Sequence, residues 1–363
     1  MTPLRVGLVG YGYAGKTFHA PLIAAVPALV LAAVASRDAA KVRADWPRVD
    51  VHADPIEMLA RPDLDLVVIA TPNDTHHPLA AAALRAGRHV CVDKPFTVTL
   101  AEARELRDLA QSAGRVLCVF HNRRRDADFL TVQRLLREGT LGRVVELESR
   151  FDRFRPEVKA RWREGGGPGS GLWYDLGPHL VDQALRLFGA PQAMALDRAP
   201  LRDGAVADDW FRATLRYERL RVLLHAGTLV ASGPRFVVHG TGGTFVKDGL
   251  DAQEDALKAG ARPTWPAAPG WGVDPGAATL VAPGADGSLA RTPVTLERGD
   301  YMAHYAALAD AIRGAGPNPV TADEAIEVMA LIELGIESDR QRRELPVAGT
   351  GLRPVTVSPH PGS

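Results

Sequence analysis

The amino-acid sequence predicts an α/β fold, with a doubly wound parallel sheet followed by a second, α+β domain. The first 120 residues alternate short apolar segments with helical segments, which is typical of βα units. After residue 121 several segments alternate polar and apolar residues, as antiparallel strands with one solvated face do. The chain has 363 residues, too many for one ordinary core. We expect domains at 1–121 and 122–345 and a poorly ordered tail at 346–363.

The composition excludes several classes of protein. Lys plus Arg equals Asp plus Glu, 43 each, so no overall basic field favours nucleic acid or anionic lipid. No apolar run reaches the length of about 18 residues that spans a membrane. The start of the chain lacks the layout of a signal peptide. The two cysteines, Cys91 and Cys118, lie in apolar runs and are expected to be small buried residues. We therefore expect a cytoplasmic protein.

The elements of the first domain follow from short apolar runs punctuated by glycine. Six strands are predicted, at 4–9, 29–36, 49–53, 64–71, 88–93 and 115–120. Three helices are predicted, at 15–26, 76–87 and 100–114. The strands are apolar on both faces, which favours a parallel sheet covered by helices on each side.

The second domain is predicted from a different pattern. Strands are expected at 143–156, 191–198, 210–217, 220–230 and 235–247. Helices are expected at 127–138, 172–188, 301–313 and 322–340, the second of them after a Gly-rich loop at 165–171. Residues 262–293 are rich in Pro, Gly and Ala and are expected to be an irregular loop.

The first strand runs into a G-x-G-x-x-G motif made of Gly10, Gly12 and Gly15, with Tyr11, Tyr13 and Ala14 between them. Since it follows a strand and opens a helix, the motif predicts a dinucleotide-binding, Rossmann-type loop. Gly10 would form the tight turn, Gly12 would admit a pyrophosphate, and Gly15 would allow close helix–strand packing. The alternative is an ordinary Gly-rich turn.

The end of the second strand bears on which dinucleotide binds. NAD sites usually place Asp or Glu there, whereas this chain has Ser36 followed by Arg37. A hydroxyl and a guanidinium suit a 2′-phosphate, which predicts NADP in preference to NAD. The neighbouring Asp38 keeps weaker use of NAD possible.

Charged residues at the end of the fifth strand point to chemistry. In doubly wound sheets, ligands lie outside the carboxyl ends of the strands. Asp93 and Lys94 follow the fifth strand directly and precede Pro95, while "ATPNDTHH" follows the fourth. Lys94 is therefore expected near the cofactor, although a lysine considered alone would be a surface charge.

A second candidate group lies on the predicted helix 172–188. Asp175 and His179 are four residues apart and share one face. A carboxylate beside an imidazole favours its protonated form, which suits an acid/base role. The alternatives are a metal pair, for which no further His or Cys stands at ligand spacing, and a structural Asp with a core histidine. We expect no metal here.

These motifs together resemble the Gfo/Idh/MocA oxidoreductases. The resemblance is carried by the glycine motif, "TPNDTH", "GRHVCVDKP" and "GGGPGSGLWYDLGPHLVD", which occur in the family's order and spacing, and it covers nearly the whole chain. The family's usual Glu-Lys-Pro is Asp-Lys-Pro here, a conservative departure that keeps the lysine. Within the family, "GYGYAGKTFHAPLI", "HNRRRDADF" and "RFDRFRP" are most similar to the NADP-dependent scyllo-inositol dehydrogenases.

The resemblance implies a second domain built on a large open antiparallel sheet, and assembly into homodimers or homotetramers. It implies that Lys94, Asp175 and His179 form the catalytic group. His179 would be the acid/base, Lys94 would stabilise charge on the reacting oxygen, and Asp175 would orient and polarise both. Pro95 would make the strand end rigid.

Further binding residues are expected around this group. For the cofactor, the resemblance points to the segment Thr71, Pro72 and Asn73, and to the pair Trp162 and Arg163. His76 is either a cofactor neighbour or a helix-start residue. Candidates for hydrogen bonds to the substrate are Asp152, Arg153, Tyr174 and Tyr301.

Three functions are compatible with these residues. The first is an NADP-dependent dehydrogenase acting on a ring CH–OH group of a polyol such as scyllo-inositol, or on the matching ketone. The second is the same chemistry on an aldose or another cyclic sugar. The third is a non-enzymatic dinucleotide-binding regulator, against which the presence of Lys94, Asp175 and His179 argues.

Overall fold

The structure is a computed structural model that describes residues 2–352 of the chain. Its contacts divide these residues into two compact units. The first unit comprises 2–125, 252–272 and 300–326, and the second comprises 126–251, 273–299 and 327–352. Each unit is thus assembled from separate segments, although the sequence pattern placed all of 122–345 in one domain.

The first unit is built on a six-stranded parallel sheet. Its strands are β1 Leu4–Val9, β2 Leu29–Ala35, β3 Asp50–His52, β4 Leu66–Ile69, β5 His89–Val92 and β6 Leu117–Val119. Their order is β3-β2-β1-β4-β5-β6, the order of a dinucleotide-binding sheet. Because all six strands are parallel, the segments that follow β1, β2, β4 and β5 emerge at one edge. The predicted parallel sheet is confirmed.

Helices cover the faces of this sheet. They are α1 Ala20–Ala25, α2 Ala39–Asp45, α3 Pro55–Leu59, α4 His76–Arg85 and α5 Leu100–Ser112. Neither α2 nor α3 was predicted, because each is too short to show a clear helical period. Their starts are set locally, since the carboxylates of Asp38 and Asp54 accept hydrogen bonds from backbone N–H groups of the first turn.

Two later segments of the chain complete the first unit. They supply α8 Gln253–Lys258, α9 Met302–Ile312 and the start of α10 Ala322–Gln341. Helix α9 packs against α1. The backbone N–H of Val119 donates to the carbonyl of Val320, and Cys118 forms an isolated bridge with Thr321. The last strand of the sheet is therefore covered by residues about 200 positions later in the chain.

The second unit is built on a nine-stranded, mostly antiparallel sheet. Its strands are β7 Val144–Arg150, β8 Ala193–Ala199, β9 Trp210–Arg216, β10 Arg221–Gly227, β11 Pro234–Gly240, β12 Gly243–Asp248, β13 Ala278–Pro283, β14 Leu289–Pro293 and β15 Leu345–Pro346. Their order is β14-β13-β12-β11-β7-β10-β9-β8-β15, and only β7 and β10 run parallel. The large antiparallel sheet that the resemblance implied is confirmed.

Three details differ from the predicted strands. The strand predicted at 235–247 is the hairpin of β11 and β12, turning at Thr241 and Gly242. The loop predicted at 262–293 contains the hairpin of β13 and β14, whose prolines and glycines concealed it. Strand β15 pairs with β8 across the predicted boundary between domain and tail, so that Pro346, the first residue of the predicted tail, lies in the sheet. Residues 353–363 of that tail lie outside the described residues.

The helices of the second unit are α6 Ala127–Arg137, α7 Leu172–Phe188 and most of α10. Helix α7 packs against β9 and β10, and its Trp173 is fully buried, donating from Nε1 to the carbonyl of Ile332. None of the helices within residues 2–352 is both long enough and apolar enough to cross a membrane.

Candidate functional site

The glycine motif forms the turn after β1. Gly10 has φ +97°, a conformation that favours glycine. A methyl group on Gly15 would collide with the carbonyl of Gly10, so Gly15 permits the close approach of the following helix to the strand. Gly12 has no atom within 4 Å of where a Cβ would stand, and its surface is exposed. The three positions fit the turn, the open approach and the packing that a bound pyrophosphate needs.

The two tyrosines of the turn have different environments. Tyr11 is buried, and its hydroxyl donates to the carboxylate of Asp45 over 2.9 Å. Burial and the neighbouring Asp45 raise the pKa of Tyr11. Asp45 also pairs with Lys16 at 2.8 Å, so the side chain of Tyr11 anchors the turn to the end of α2. Tyr13 is half exposed, and its hydroxyl donates to Glu254.

The end of β2 leaves its arginine facing solvent. The carboxylate of Asp38 caps α2, accepting from the N–H of Lys41 over 3.0 Å. The hydroxyl of Ser36 accepts from the N–H of Asp38 over 3.2 Å. Arg37 is exposed between them. Because Asp38 already serves the helix, this edge offers a guanidinium and a hydroxyl to a ligand more readily than a carboxylate.

The turn after β5 holds a buried carboxylate beside Lys94. Asp93 is 8% exposed, and its Oδ1 accepts from the N–H of Lys94 over 2.8 Å. Nε2 of the buried His19 lies 3.8 Å from the same oxygen, and Nδ1 of His19 lies 2.5 Å from the hydroxyl of Tyr305. Burial alone would raise the pKa of Asp93, but His19, Lys94 and His76 outweigh it and lower that pKa to about 2. Asp93 is therefore a fixed negative charge beneath the half-buried Lys94.

His76 joins two of the strand-end turns. Its ring is buried, with Nδ1 2.9 Å from the carbonyl oxygen of Pro95 and Nε2 3.0 Å from that of Thr71. Burial lowers the pKa of His76, and a neutral ring donates one of these bonds at a time. The ring therefore connects the turn after β4 with the Lys94–Pro95 turn, and a role of His76 as cofactor neighbour stays a prediction. Asn73, two residues after Thr71 in the chain, is also buried.

Within the second unit, α7 carries the other predicted catalytic residues. Gly171, with φ +91°, directly precedes the helix, and its lack of a Cβ leaves room for the side chain of Asp208. Asp208 accepts from the N–H of Trp173 over 2.7 Å and so caps the helix. The Gly-rich loop at 165–171 thus leads into α7, and Asp208, which is distant in the chain, accepts a hydrogen bond from a backbone N–H of its first turn.

Asp175 lies on the first turn of α7 and is partly exposed. The guanidinium of Arg163 approaches its Oδ1 to 3.5 Å and stacks on the ring of Trp162 at 4.7 Å. Trp162 is 39% exposed, so a large aromatic surface is open to a ligand beside this pair. The structure thus brings three of the predicted residues together.

His179 follows one turn later and is 5% exposed. Its ring is nearly parallel to that of Phe151, 19° between planes and 6.4 Å between centroids. Gln183, one further turn along α7, accepts from the buried Arg235 over 2.7 Å. Arg235 also lies 5.7 Å from the ring centre of Phe151. The imidazole is therefore backed by a packed and hydrogen-bonded cluster.

Two of the predicted substrate residues, Asp152 and Arg153, have defined contacts in the structure. The carboxylate of Asp152 contacts His225 at 2.8 Å and Arg150 at 2.7 Å. Burial opposes these two partners, which together lower the pKa of Asp152. The guanidinium of Arg153 lies 5.0 Å from the ring centre of Phe151, and Tyr174 is partly exposed on α7.

Tyr301 belongs to the first unit and is fully buried. Its hydroxyl accepts from Arg123 over 2.8 Å, and Arg123 pairs with the carboxylate of Glu254. These contacts give Tyr301 a packing role, and its contact with substrate stays a prediction.

His19, Tyr305 and Arg235 support the predicted residues but were not singled out from the sequence. His19 stands 74 positions before Asp93 and Tyr305 more than 200 after it. Within the chain Arg235 looks like an ordinary strand residue, while His19 and Tyr305 look like ordinary helix residues that no local pattern identifies. Only the folded arrangement places them beside a strand end.

Family models match both parts of the chain. The model described as "Oxidoreductase family, NAD-binding Rossmann fold" matches residues 4–121. The model described as "Oxidoreductase family, C-terminal alpha/beta domain" matches residues 133–348. Both are models of the Gfo/Idh/MocA family.

Individual proteins are similar over nearly the full length. The chain is 56% identical to the uncharacterized oxidoreductase YdgJ of Escherichia coli over 347 residues, covering 95% of this chain and 99% of that protein. It is 37% identical to the scyllo-inositol 2-dehydrogenase (NADP(+)) IolW of Bacillus subtilis, covering 94% and 95%. The solved structure of the YPO2259 protein of Yersinia pestis superimposes with a TM-score of 0.89 at 54% identity, covering 95% and 97%. The two matched domains and these full-length similarities show that the chain belongs to the Gfo/Idh/MocA oxidoreductase family.

Proposed function

We propose that this oxidoreductase uses NADP to oxidise a ring hydroxyl of a cyclic polyol, with scyllo-inositol as the first candidate, or to reduce the matching ketone. The observation that carries the cofactor assignment is the end of β2, where Arg37 faces solvent while Asp38 is committed to capping α2. The similarity to IolW, named as an NADP-dependent scyllo-inositol dehydrogenase, supports the substrate.

The residues at the end of the parallel strands fit a dinucleotide. The open space at Gly12 would admit the pyrophosphate against backbone N–H groups. Ser36 and Arg37 would hold the 2′-phosphate. The bound nicotinamide would supply hydride transfer, and this chain would supply the proton chemistry.

Proton transfer is assigned to His179. Its imidazole would take the hydroxyl proton as hydride leaves the carbon, and return it in the reverse direction. Asp175, one turn earlier on α7, would favour the protonated ring and be held in place by Arg163.

Lys94 is assigned to the reacting oxygen. Its ammonium would donate a hydrogen bond to this oxygen and stabilise the negative charge that develops on it. The fixed charge of Asp93 beneath it, supported by His19, keeps the turn in one conformation.

The test is turnover, followed by absorbance of the reduced nicotinamide. NADP and NAD are each offered with scyllo-inositol, myo-inositol and glucose. Signal with NADP and scyllo-inositol is the expected result. Signal with glucose alone would keep the chemistry and replace the substrate class, whereas NADP binding without turnover on any polyol or sugar would favour a regulator.

We also propose that the protein works as a homodimer or homotetramer in the cytoplasm. The resemblance to the family and the large sheet of the second unit support the assembly. Light scattering on the purified protein tests it, and a mass of one chain of 38.9 kDa at micromolar concentration would contradict it.

A further inference from the structure

A buried cluster of two thiols and an imidazole lies inside the first unit, outside the groups assigned above. Cys91 on β5 and Cys118 on β6 are paired in register on neighbouring strands. His304 comes from α9, nearly 200 positions later. Their sulfur and nitrogen atoms all lie within 4.8 Å of one another. The exposed fractions are 0%, 0% and 2%.

The imidazole is aimed at the thiols by its packing. Nε2 of His304 lies 3.5 Å from Sγ of Cys118. The ring of Phe120 stands edge-on to His304 at 4.9 Å between centroids, and that of Tyr305 does so at 5.7 Å. These two rings restrict the rotation of His304, so its ligand atom stays directed at the sulfurs.

The distances suit coordination of one metal ion. Zinc binds cysteine sulfur at about 2.3 Å, which places two sulfurs on a tetrahedral zinc about 3.8 Å apart. Ligand atoms already within 4.8 Å need side-chain shifts of only about 1 Å or less to reach that geometry. Two cysteines and one histidine are the protein ligands of one known class of zinc site, in which a water or another small ligand takes the fourth tetrahedral position.

The charge balance favours a divalent ion. Two thiolates neutralise M²⁺, whereas with a monovalent ion they leave a net negative charge in a dry interior. The carboxylate of Asp93, two residues after Cys91, adds to that cost. Soft sulfur ligands also discriminate against Mg²⁺ and Ca²⁺.

We propose that Cys91, Cys118 and His304 form a binding site for one thiophilic divalent cation, of the class of Zn²⁺ and Cd²⁺. Binding displaces the thiol protons to solvent and forms two metal–sulfur bonds and one metal–nitrogen bond, with no change of oxidation state. Because Cys91 and Asp93 lie on the same strand end, the ion would also stiffen the segment that leads to Lys94.

The probe is Cd²⁺, added to untagged, reduced protein that has been stripped with a chelator. Thiolate-to-cadmium charge-transfer absorbance in the ultraviolet reports sulfur ligation, and atomic spectroscopy after gel filtration reports bound metal per chain. We expect one cadmium per chain, displaced by Zn²⁺ and unaffected by Mg²⁺. The variants Cys91→Ala, Cys118→Ala and His304→Phe should each weaken binding roughly tenfold or more.

The matched control is His77→Ala, which removes a histidine on α4 that pairs with Glu105 outside the cluster and should leave binding unchanged. The proposal is overturned if the wild type shows no absorbance band. It is also overturned if the variant with both Cys91→Ala and Cys118→Ala shows a band equal to that of the wild type. Where a variant does not fold, the wild type alone decides. Because the site exists only in the folded protein, Cd²⁺ must raise the melting temperature and Mg²⁺ must not. Absence of a rise with Cd²⁺ would refute the proposal.

Discussion

Asp93 is a carboxylate whose charge the fold stabilises from several sides. It is buried, accepts a hydrogen bond from the N–H of Lys94, and lies close to the ring of His19. Its pKa of about 2 lies below the ordinary value of 3.8. A carboxyl with a lowered folded-state pKa contributes stability above its unfolded pKa and loses it as pH falls through the folded one.

We therefore expect Asp93→Asn to lower the free energy of unfolding at pH 7 by on the order of 2 kcal/mol. The difference between the wild type and the variant should shrink as pH falls from about 4 to about 2, the window set by the two pKa values. Urea titrations at several pH values measure it. A difference that stays constant over that window would show that the charge of Asp93 is not the cause.

Lys94 and His179 are expected to carry the chemistry, each in its own unit. His179→Ala and Lys94→Ala should each lower turnover roughly 10²–10⁴-fold, since one loses the acid/base and the other the charge on the reacting oxygen. Dinucleotide affinity should survive in His179→Ala. Steady-state kinetics check the first statement and fluorescence titration with NADPH the second.

The control for this pair is His77→Ala, which removes a half-buried residue of α4 that pairs with Glu105 and should keep wild-type turnover. Turnover near the wild-type level in either catalytic variant would remove that residue from the mechanism.

Arg37 is the residue expected to select the cofactor. Arg37→Ala should weaken NADP binding by about 10- to 100-fold, the worth of a hydrogen bond to a charged group, and leave NAD binding nearly unchanged. Calorimetric titration of both dinucleotides measures the two affinities. Arg43→Ala, an exposed arginine on α2, is the matched control. An equal loss for NAD and NADP would contradict selection at the 2′-phosphate.

At the scale of elements, the turn between β1 and α1 contains one glycine that the fold needs and another that faces open space. A Cβ at Gly15 would collide with the carbonyl of Gly10, whereas one at Gly12 meets no atom within 4 Å. The two glycines look alike in the motif, but Gly15 is needed for the packing of the helix, whereas Gly12 faces the space that a ligand would enter.

Gly15→Ala should therefore destabilise the fold by about 1–3 kcal/mol through overpacking. Gly12→Ala should keep wild-type stability and bind NADP at least about tenfold more weakly, because the methyl group occupies the approach to the pyrophosphate. Thermal unfolding and dinucleotide titration are measured on both variants. Equal stability losses would show that the space at Gly12 is needed by the fold itself.

The accuracy of the predicted elements depends on how far their signals reach along the chain. Strands β1, β2 and β5 are apolar runs bounded by turn residues and were located within one or two residues. The β13–β14 hairpin was missed because its prolines and glycines are typical of a loop and because its exposed strand β14 gives no apolar pattern. Helices α2 and α3 were missed because five to seven residues span too few turns to show a period.

At the scale of the whole molecule, the first unit depends on residues that return late in the chain. Tyr305 and Leu308 of α9 are fully buried, and the ring of Tyr305 packs on Phe120 at 5.6 Å. In β6, the backbone N–H of Val119 donates a hydrogen bond to the carbonyl of Val320. A fragment that ends at residue 121 exposes this apolar surface.

We expect the isolated fragment 1–121 to lack a cooperative thermal transition and to bind NADP weakly. The same fragment joined through a flexible linker to residues 300–326 should regain the transition, because the buried side chains of α9 are restored. Circular dichroism on heating and dinucleotide titration compare the two. Cooperative unfolding of the shorter fragment would show that it forms a complete core.

The sequence by itself determined the parallel sheet, the glycine turn, the strand-end position of Lys94 and the spacing of Asp175 and His179, because each rests on residues close together in the chain. The tertiary structure decided what surrounds them: His19 and Tyr305 behind Asp93, Arg235 near the ring that lies against His179, and His304 beside the two cysteines. These partners are separated by tens to hundreds of residues. Local patterns record hydrophobic period and turn chemistry, whereas contacts between distant residues form only when the whole core closes.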